Sequence, residues 1–315
     1  MKKPLVVLTG PTGVGKTELS ILLAKSINGE IISADSMQIY QFMDIGTAKI
    51  TKEEMQGVKH YLVDELLPNE EFHVAKFQKM AKEAIEEIYQ KGKIPIIVGG
   101  TGFYIQAVLY DIDFAEESNR DGYRQQLEEL ARKEGISALH QKLEEIDPVS
   151  AKNIHENNIK RVIRAIEFYH ETGKKISEHN EAERERPSPY NFEYFVLNDE
   201  RERLYQRTDL RIDQMLENGL LEEVQNLKKM GYDTASVAMQ GLGYKEILDY
   251  LDGQTTLEEA VYRLKRDTRH FVKRQLTWFR REKTVTFVNK ADFSYNTEQI
   301  LQFMIEKLKR KEIIE

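Results

Sequence analysis

The chain has 315 residues, enough for two domains or for one domain carrying an insertion. It contains no cysteine, which excludes disulfides, thiolate zinc sites and cysteine nucleophiles, and its formal net charge of −7 argues mildly against a nucleic-acid ligand while averaging over any local patch. No apolar run is long enough to span a bilayer, and Met1-Lys2-Lys3-Pro4 leads straight into an apolar stretch, so we expect no signal peptide, no membrane association and a cytoplasmic protein.

The apolar run Leu5-Val6-Val7-Leu8 reads as a buried strand. Directly after it, Gly10-Pro11-Thr12-Gly13-Val14-Gly15-Lys16-Thr17 fits the phosphate-loop pattern G-x-x-x-x-G-K-[ST]. Leu19, Leu22, Leu23 and Ile27 follow at helical spacing, giving the strand, loop and helix order the pattern requires. In that order the glycines let backbone N–H groups close round an anion at a helix N-terminus, Lys16 adds a point charge, and the Thr17 hydroxyl can hold Mg²⁺.

A second strand, Ile31-Ile32-Ser33-Ala34, ends at Asp35, followed by Ser36-Met37-Gln38. Val74, Phe77, Met80, Ala81, Ala84, Ile85 and Ile88 mark a helix, and the strand Ile94–Val98 ends at Gly99-Gly100-Thr101-Gly102. Strands alternating with helices imply a parallel α/β sheet, here with a P-loop NTPase-like core. Ligands in such sheets lie beyond the carboxyl ends of the strands, where Gly10–Thr17, Asp35 and Thr101 all fall. From Phe114 to Phe192 strand patterns vanish and charged helical stretches dominate, which predicts an all-helical insertion over 114–192 between core segments 1–113 and 193–315. Tyr194–Leu197 reads as a returning strand, helices follow through Arg280, Thr284–Val288 reads as a late strand, and a charged helix ends the chain.

Asp35 admits three readings: a cap or turn residue, an acid on the Mg²⁺ side of a phosphate site, or a general base. Thr101 either caps the helix that starts near Gly102 or presents its hydroxyl to the site, or does both. Arg203, Arg207 and Arg211 share one helix face, as a solvated stripe or as a clamp for a diphosphate, and spacing does not say which of them makes the contact. Between Arg263 and Lys283 nine cations, among them Arg269, Lys273, Arg274 and Arg281, are opposed only by Asp267 and Glu282, a one-sidedness that suits a polyanion better than a solvated face. Lys160, Arg161 and Arg164 form a smaller basic cluster in the insertion, and His60, His73 and His155 lack metal-ligand spacing.

Seven segments in order resemble the bacterial tRNA dimethylallyltransferases, also called tRNA isopentenyltransferases. They are Gly10–Thr17, Asp35–Tyr40, Asp44–Lys49, His60–Asp64, Val98–Tyr104, Gln240–Glu246 and Lys273–Arg281, with Ile50 standing where the family often has proline. The resemblance implies transfer of a dimethylallyl group from its diphosphate to N6 of adenine 37 in tRNA, with Mg²⁺ required. It implies that Gly10, Pro11, Thr12, Gly13, Val14, Gly15, Lys16 and Thr17 hold the donor diphosphate rather than an ATP to be hydrolysed. Asp35 would be the base, Arg211 and Lys16 would stabilise the leaving group, and Thr101 would bond the bridging oxygen. It further implies tRNA contacts from Asp35, Ser36, Met37, Gln38 and Thr101 near the target base, from Arg124, Lys160, Arg161 and Arg164 in the insertion, and from Arg269, Lys273, Arg274 and Arg281 on the stem. Two competing readings are a P-loop small-molecule kinase, which leaves the basic C-terminal stretch without a role, and a non-catalytic RNA-binding protein with a nucleotide switch, which leaves Asp35 and Thr101 without one.

Overall fold

The computed structural model describes residues 2–114 and 122–315 and divides the chain into two compact units, Met1–Leu109 with Pro189–Glu315, and Tyr110–Ser188. The helical unit thus begins and ends about four residues earlier than the composition shift at 114 and 192 suggested. Pro189 marks its end, and the residues after it already belong to a strand.

The first unit opens with β1 (Lys3–Thr9), α1 (Lys16–Ser26), β2 (Gly29–Ala34), α2 (Lys52–Met55), β3 (His60–Tyr61), α3 (Val74–Gln90), β4 (Ile94–Gly99) and α4 (Gly102–Leu109). Among the described residues the strands form one parallel sheet in the order β3-β2-β4-β1-β5-β6, the last two supplied by the C-terminal half: β5 (Tyr190–Asn198) and β6 (Thr286–Asn289). Leu5, Val6, Val7 and Leu8 are fully buried because helices cover both faces of a parallel sheet, which is why the run is continuous rather than alternating. The same sandwiching leaves α1 apolar on more than one side. Ile21 is buried although it breaks the Leu19–Leu23 spacing, and Leu22 is only half-buried.

The second unit holds α5 (Tyr123–Lys133), α6 (Ile136–Ile146), α7 (Pro148–Asn153), α8 (Ile159–Thr172) and α9 (Ile176–Glu185). Leu127, Leu139, Leu143, Val162, Ile163 and Ile166 close its own core. Asp147, fully buried, caps α7 through Ser150 N–H (3.0 Å) and also accepts from the backbone and hydroxyl of Ser177 at the start of α9.

After β5 the first unit resumes with α10 (Arg201–Glu217), α11 (Leu220–Lys229), α12 (Tyr244–Leu251), α13 (Leu257–Phe279) and, after β6, α14 (Thr297–Arg310). The 23-residue α13 carries six of the nine cations of the basic stretch, and Arg280, Arg281 and Lys283 follow its end. Ala260, Leu264, Thr268, Val272, Gln275, Leu276 and Phe279 form its buried face. No helix among the described residues is long and apolar enough to cross a membrane.

Candidate active site

Register places the candidate residues together. Thr9 pairs with Gly99 across β1 and β4, and Gly99 pairs with Ala34 across β4 and β2. Gly10, Gly100 and Asp35 are each one residue beyond these partners, so three adjacent strands deliver the phosphate loop, the Gly-Gly turn and the acid to one edge of the sheet. The approach is tight. A Cβ on Gly10 would lie 2.3 Å from the Leu197 carbonyl oxygen, and one on Gly99 would lie 2.3 Å from that of Ala34. Thr101 N–H donates to the Ala34 carbonyl at 3.3 Å, tying the turn after β4 to the end of β2.

Within the loop, Gly15 caps α1 at φ 93°, a left-handed conformation that disfavours any side chain. Lys16 arches back so that Nζ donates to the carbonyls of Gly10 (2.9 Å) and Pro11 (3.0 Å). The amides of Gly13 and Gly15 donate to no group among the described residues and remain available to an anion, together with the first-turn amides of α1. Thr12 N–H is already spent on Gln275 Oε1 at 2.9 Å.

Loss of solvent draws the Lys16 ammonium down to about 8, opposed by Asp35 and aided by the positive charge of Arg211. Burial likewise presses on the Arg211 guanidinium, with Asp35 the main counterweight. Lys16, Asp35 and Arg211 therefore form one electrostatic group. A lysine whose folded value lies below its unfolded value of about 10.5 costs stability wherever it is charged, and that cost is relieved as pH rises from about 8 to 10.5. An anion in the loop reverses the shift. Inorganic diphosphate should therefore take up on the order of one proton more at pH 8.5 to 9 with the wild-type chain than with Lys16→Met. Calorimetry in buffers of different ionisation enthalpy reads the difference, and equal uptake by both proteins would remove Lys16 from the anion site.

Asp35 Oδ1 accepts from Met37 N–H (2.9 Å) and Gln38 N–H (3.4 Å), so the turn reading holds for that oxygen. Oδ2 accepts from no group among the described residues and is free to act as a base. Thr101 occupies the cap of α4 through its carbonyl, which receives Tyr104 N–H and Ile105 N–H, while its hydroxyl has no partner among the described residues. Tyr104 stacks on Phe77 at 4.6 Å and closes the wall beside Asp35. Burial, with the neighbouring Tyr40 and Asp35, holds its phenol well above the ordinary value.

The three α10 arginines go to different places. Arg203 stacks on the Tyr295 ring at 4.0 Å. The guanidinium of Arg207 and the ammonium of Lys290 flank Gly15, 3.7 and 3.4 Å from where its Cβ would stand. Arg211 alone shares the charge environment of Lys16 and Asp35. Lys290 lies in none of the motifs and carries no signal in the sequence.

On α13, Arg269 gives one nitrogen to both oxygens of Asp209 (2.9 and 2.7 Å), and Lys265 meets Asp213 at 2.5 Å. These half-buried pairs staple α13 to α10 and are each worth on the order of 1 kcal/mol. Lys273, Arg274 and Arg281 are exposed and, with His270, Thr277 and Trp278, line a groove of about 400 Å³. The indole of Trp278 seats on Gly102, where a Cβ would come within 2.2 Å, and its Nε1–H is buried without a partner among the described residues. Gln275 links the two regions. Its Oε1 holds Thr12 N–H and its Nε2 donates to the Gly100 carbonyl at 3.1 Å, so the basic helix is fastened to both loops of the anion site. Sequence reading passed over it because a glutamine among nine cations has no signature of its own.

In the helical unit Lys160 and Arg161 are exposed in the first turn of α8, where helix polarity disfavours cations. Arg164 faces Glu171 at 3.9 Å. Arg124 is engaged by Glu167 (3.3 Å) and Glu128 (3.6 Å). Of the histidines, His73 caps α3 and His60 bonds the Val58 carbonyl. Among the described residues no three histidine, aspartate or glutamate side chains cluster to hold a metal. The unengaged Thr17 hydroxyl at the start of α1 instead suits a divalent cation that completes its shell with substrate phosphates.

A parallel sheet, a glycine loop with free amides, a carboxylate oxygen two strands away and a basic helix fastened to the glycine loop and to the turn after β4 define a group-transfer enzyme built on a phosphate-loop core. The chain belongs to the IPP transferase family, whose profile matches residues 38–282. It is 64% identical over 312 residues to a tRNA dimethylallyltransferase of Lachnoclostridium phytofermentans, covering 99% of both chains. It is 53% identical over 298 residues to one of Acetivibrio thermocellus, covering 95% of both. Among solved structures it resembles the full-length tRNA isopentenylpyrophosphate transferase of Bacillus halodurans, with 46% identity, TM-score 0.74, and 99% and 98% of the two chains covered. It also resembles a eukaryotic dimethylallyltransferase acting on tRNA, with 33% identity, TM-score 0.80, and 93% of this chain and 75% of the other covered.

Proposed function

We propose that this chain is a tRNA dimethylallyltransferase, moving the dimethylallyl group of dimethylallyl diphosphate onto N6 of adenine 37 and releasing diphosphate. The observation that carries the reading is the Gln275 bridge, which makes a polyanion-binding helix part of the wall of the donor site. A small-molecule kinase has no use for such a link.

The exocyclic amine of adenine is a weak nucleophile because its lone pair is delocalised into the ring. Asp35 Oδ2 takes the amine proton as the C–N bond forms. The allylic carbon leaves with cationic character and negative charge gathers on the departing diphosphate, where the loop amides, Lys16 and Arg211 stabilise it. Thr101, its hydroxyl free beside the phosphate loop, donates to the oxygen that bridges carbon and phosphorus. Mg²⁺ would be held by the Thr17 hydroxyl and would neutralise part of the diphosphate charge. The target base must leave its stack, which costs less in a single-stranded loop than in a duplex. Ser36, Met37 and Gln38 line its approach. Lys273, Arg274 and Arg281 grip phosphates, and Lys160, Arg161, Arg164 and Arg124 do so from the helical unit. Arg269 acts on this surface through its staple to Asp209. A cytoplasmic location follows from this substrate.

The direct test incubates the chain with Mg²⁺, dimethylallyl diphosphate and unmodified tRNA bearing adenine 37, then seeks a five-carbon addition by mass spectrometry of the digested RNA. ATP consumed against a metabolite, with the adenosine unchanged, would favour the kinase. Lys273→Glu and Arg281→Glu should each weaken RNA binding and lower the slope of log affinity against log salt by about 1. An unchanged slope would place the groove off the RNA path.

A further inference from the structure

Gln240–Glu246 packs against the loop that carries Asp35. A Cβ on Gly241 would lie 2.4 Å from Met37 Cε, and one on Gly46 would lie 2.6 Å from the Tyr244 ring. The Tyr244 hydroxyl donates to Glu223 Oε1 at 2.7 Å. Glu223, on α11, also accepts from three consecutive amides, with Asp44 at 2.9 Å, Ile45 at 2.7 Å and Gly46 at 3.1 Å. Just beyond them the Thr47 and Ala48 carbonyls accept from Gln38 Nε2 at 3.3 and 3.2 Å, and Gln38 N–H donates to Asp35 Oδ1. Four donors on one carboxylate make a rigid, charge-assisted node. From it the Gly46–Ala48 backbone and the Gln38 hydrogen bonds lead to the Asp35 carboxylate.

We propose that Glu223, braced by Tyr244, is a positioning residue for the reaction: it fixes the Asp44–Gly46 amides, these fix Gln38, and Gln38 holds the Asp35 carboxylate in the orientation that accepts the amine proton. The inference rests on the transferase reading of the same site. A misplacement of about 1 Å at a reacting group costs about 10²-fold, so loss of the node should appear in kcat and spare donor binding.

The test compares the full wild-type chain with Glu223→Ala and Glu223→Gln on dimethylallyl diphosphate and an unmodified anticodon stem-loop. Glu223→Ala should lower kcat about 10- to 100-fold with the donor KM within about twofold, and the Asp44–Gly46 amides should lose hydrogen-exchange protection. Glu223→Gln, with one acceptor oxygen left, should fall between. A kcat within about twofold of wild type, or amides that stay protected, overturns the proposal. Should Glu223→Ala fail to fold, Tyr244→Phe takes its place. A fall in kcat at constant donor KM supports the proposal, and unchanged kcat or a matching rise in donor KM overturns it. A wild-type chain that adds no five-carbon group overturns the transferase reading instead, and the exchange of the Asp44–Gly46 amides still decides whether Glu223 fixes the loop.

Discussion

Asp35→Asn is expected to lower the transfer rate by about 10²- to 10⁴-fold, the range of a positioned general base, while RNA affinity stays within about threefold of wild type. Asparagine is the informative replacement because the two oxygens of Asp35 do different work. Oδ1 closes the turn onto Met37 and Gln38, and an asparagine carbonyl can keep both bonds. Oδ2 is the free proton acceptor, and an amide nitrogen cannot replace it. Asp35→Ala removes both functions and should additionally loosen Met37 and Gln38. Rapid-quench measurement of a single turnover, alongside RNA binding without donor, separates the cases. Near-normal turnover in the asparagine variant with a large loss in the alanine variant would make Asp35 a turn residue and take the base role from it.

What the sequence discloses and what it hides divide along physical lines. The buried strands and the glycine loop are visible because one backbone constraint fixes both composition and spacing: Leu5–Leu8 must be apolar on both faces, and Gly10 and Gly15 must leave room or turn left-handed. Asp35 and Thr101 are visible because they end such strands. β3, two residues long, is too short to show a period. The helical unit shows as a change in composition, but its limits at 110 and 188 do not, because β5 begins at Tyr190 with residues whose exposure is intermediate. Side chains that work across sequence distance leave least trace. Gln275 acts on residues 263 and 175 positions away, and Glu223 on amides nearly 180 away. Glu223 lies in none of the resembling segments, and Gln275, inside Lys273–Arg281, is not set apart from its neighbours there, whereas the charge count that revealed α13 included Arg269, whose partner Asp209 sits on another helix.

Arg211→Gln should cost about 10²- to 10³-fold in the chemical step, the loss seen when one charge-stabilising donor is removed from a developing oxyanion. The structure separates it from its neighbours on α10. Arg203 is committed to Tyr295 and Arg207 stands behind Gly15 with Lys290, whereas Arg211 shares the burial and charge of Lys16 and Asp35. Arg203→Gln should therefore be nearly silent, and Arg207→Gln should weaken donor binding more than it slows chemistry. Arg211→Lys should recover little, since a point charge does not reproduce a guanidinium fork, which can bond two phosphate oxygens at once. The pH dependence supplies a second readout. Arg211 is one of the charges that lower Lys16 to about 8, so its removal lets the Lys16 value rise. The alkaline limb for donor binding should then move to higher pH in Arg211→Gln even as the rate falls. A limb that stays in place, or a larger rate loss from Arg207→Gln, would assign the leaving diphosphate to the Gly15 side of the loop.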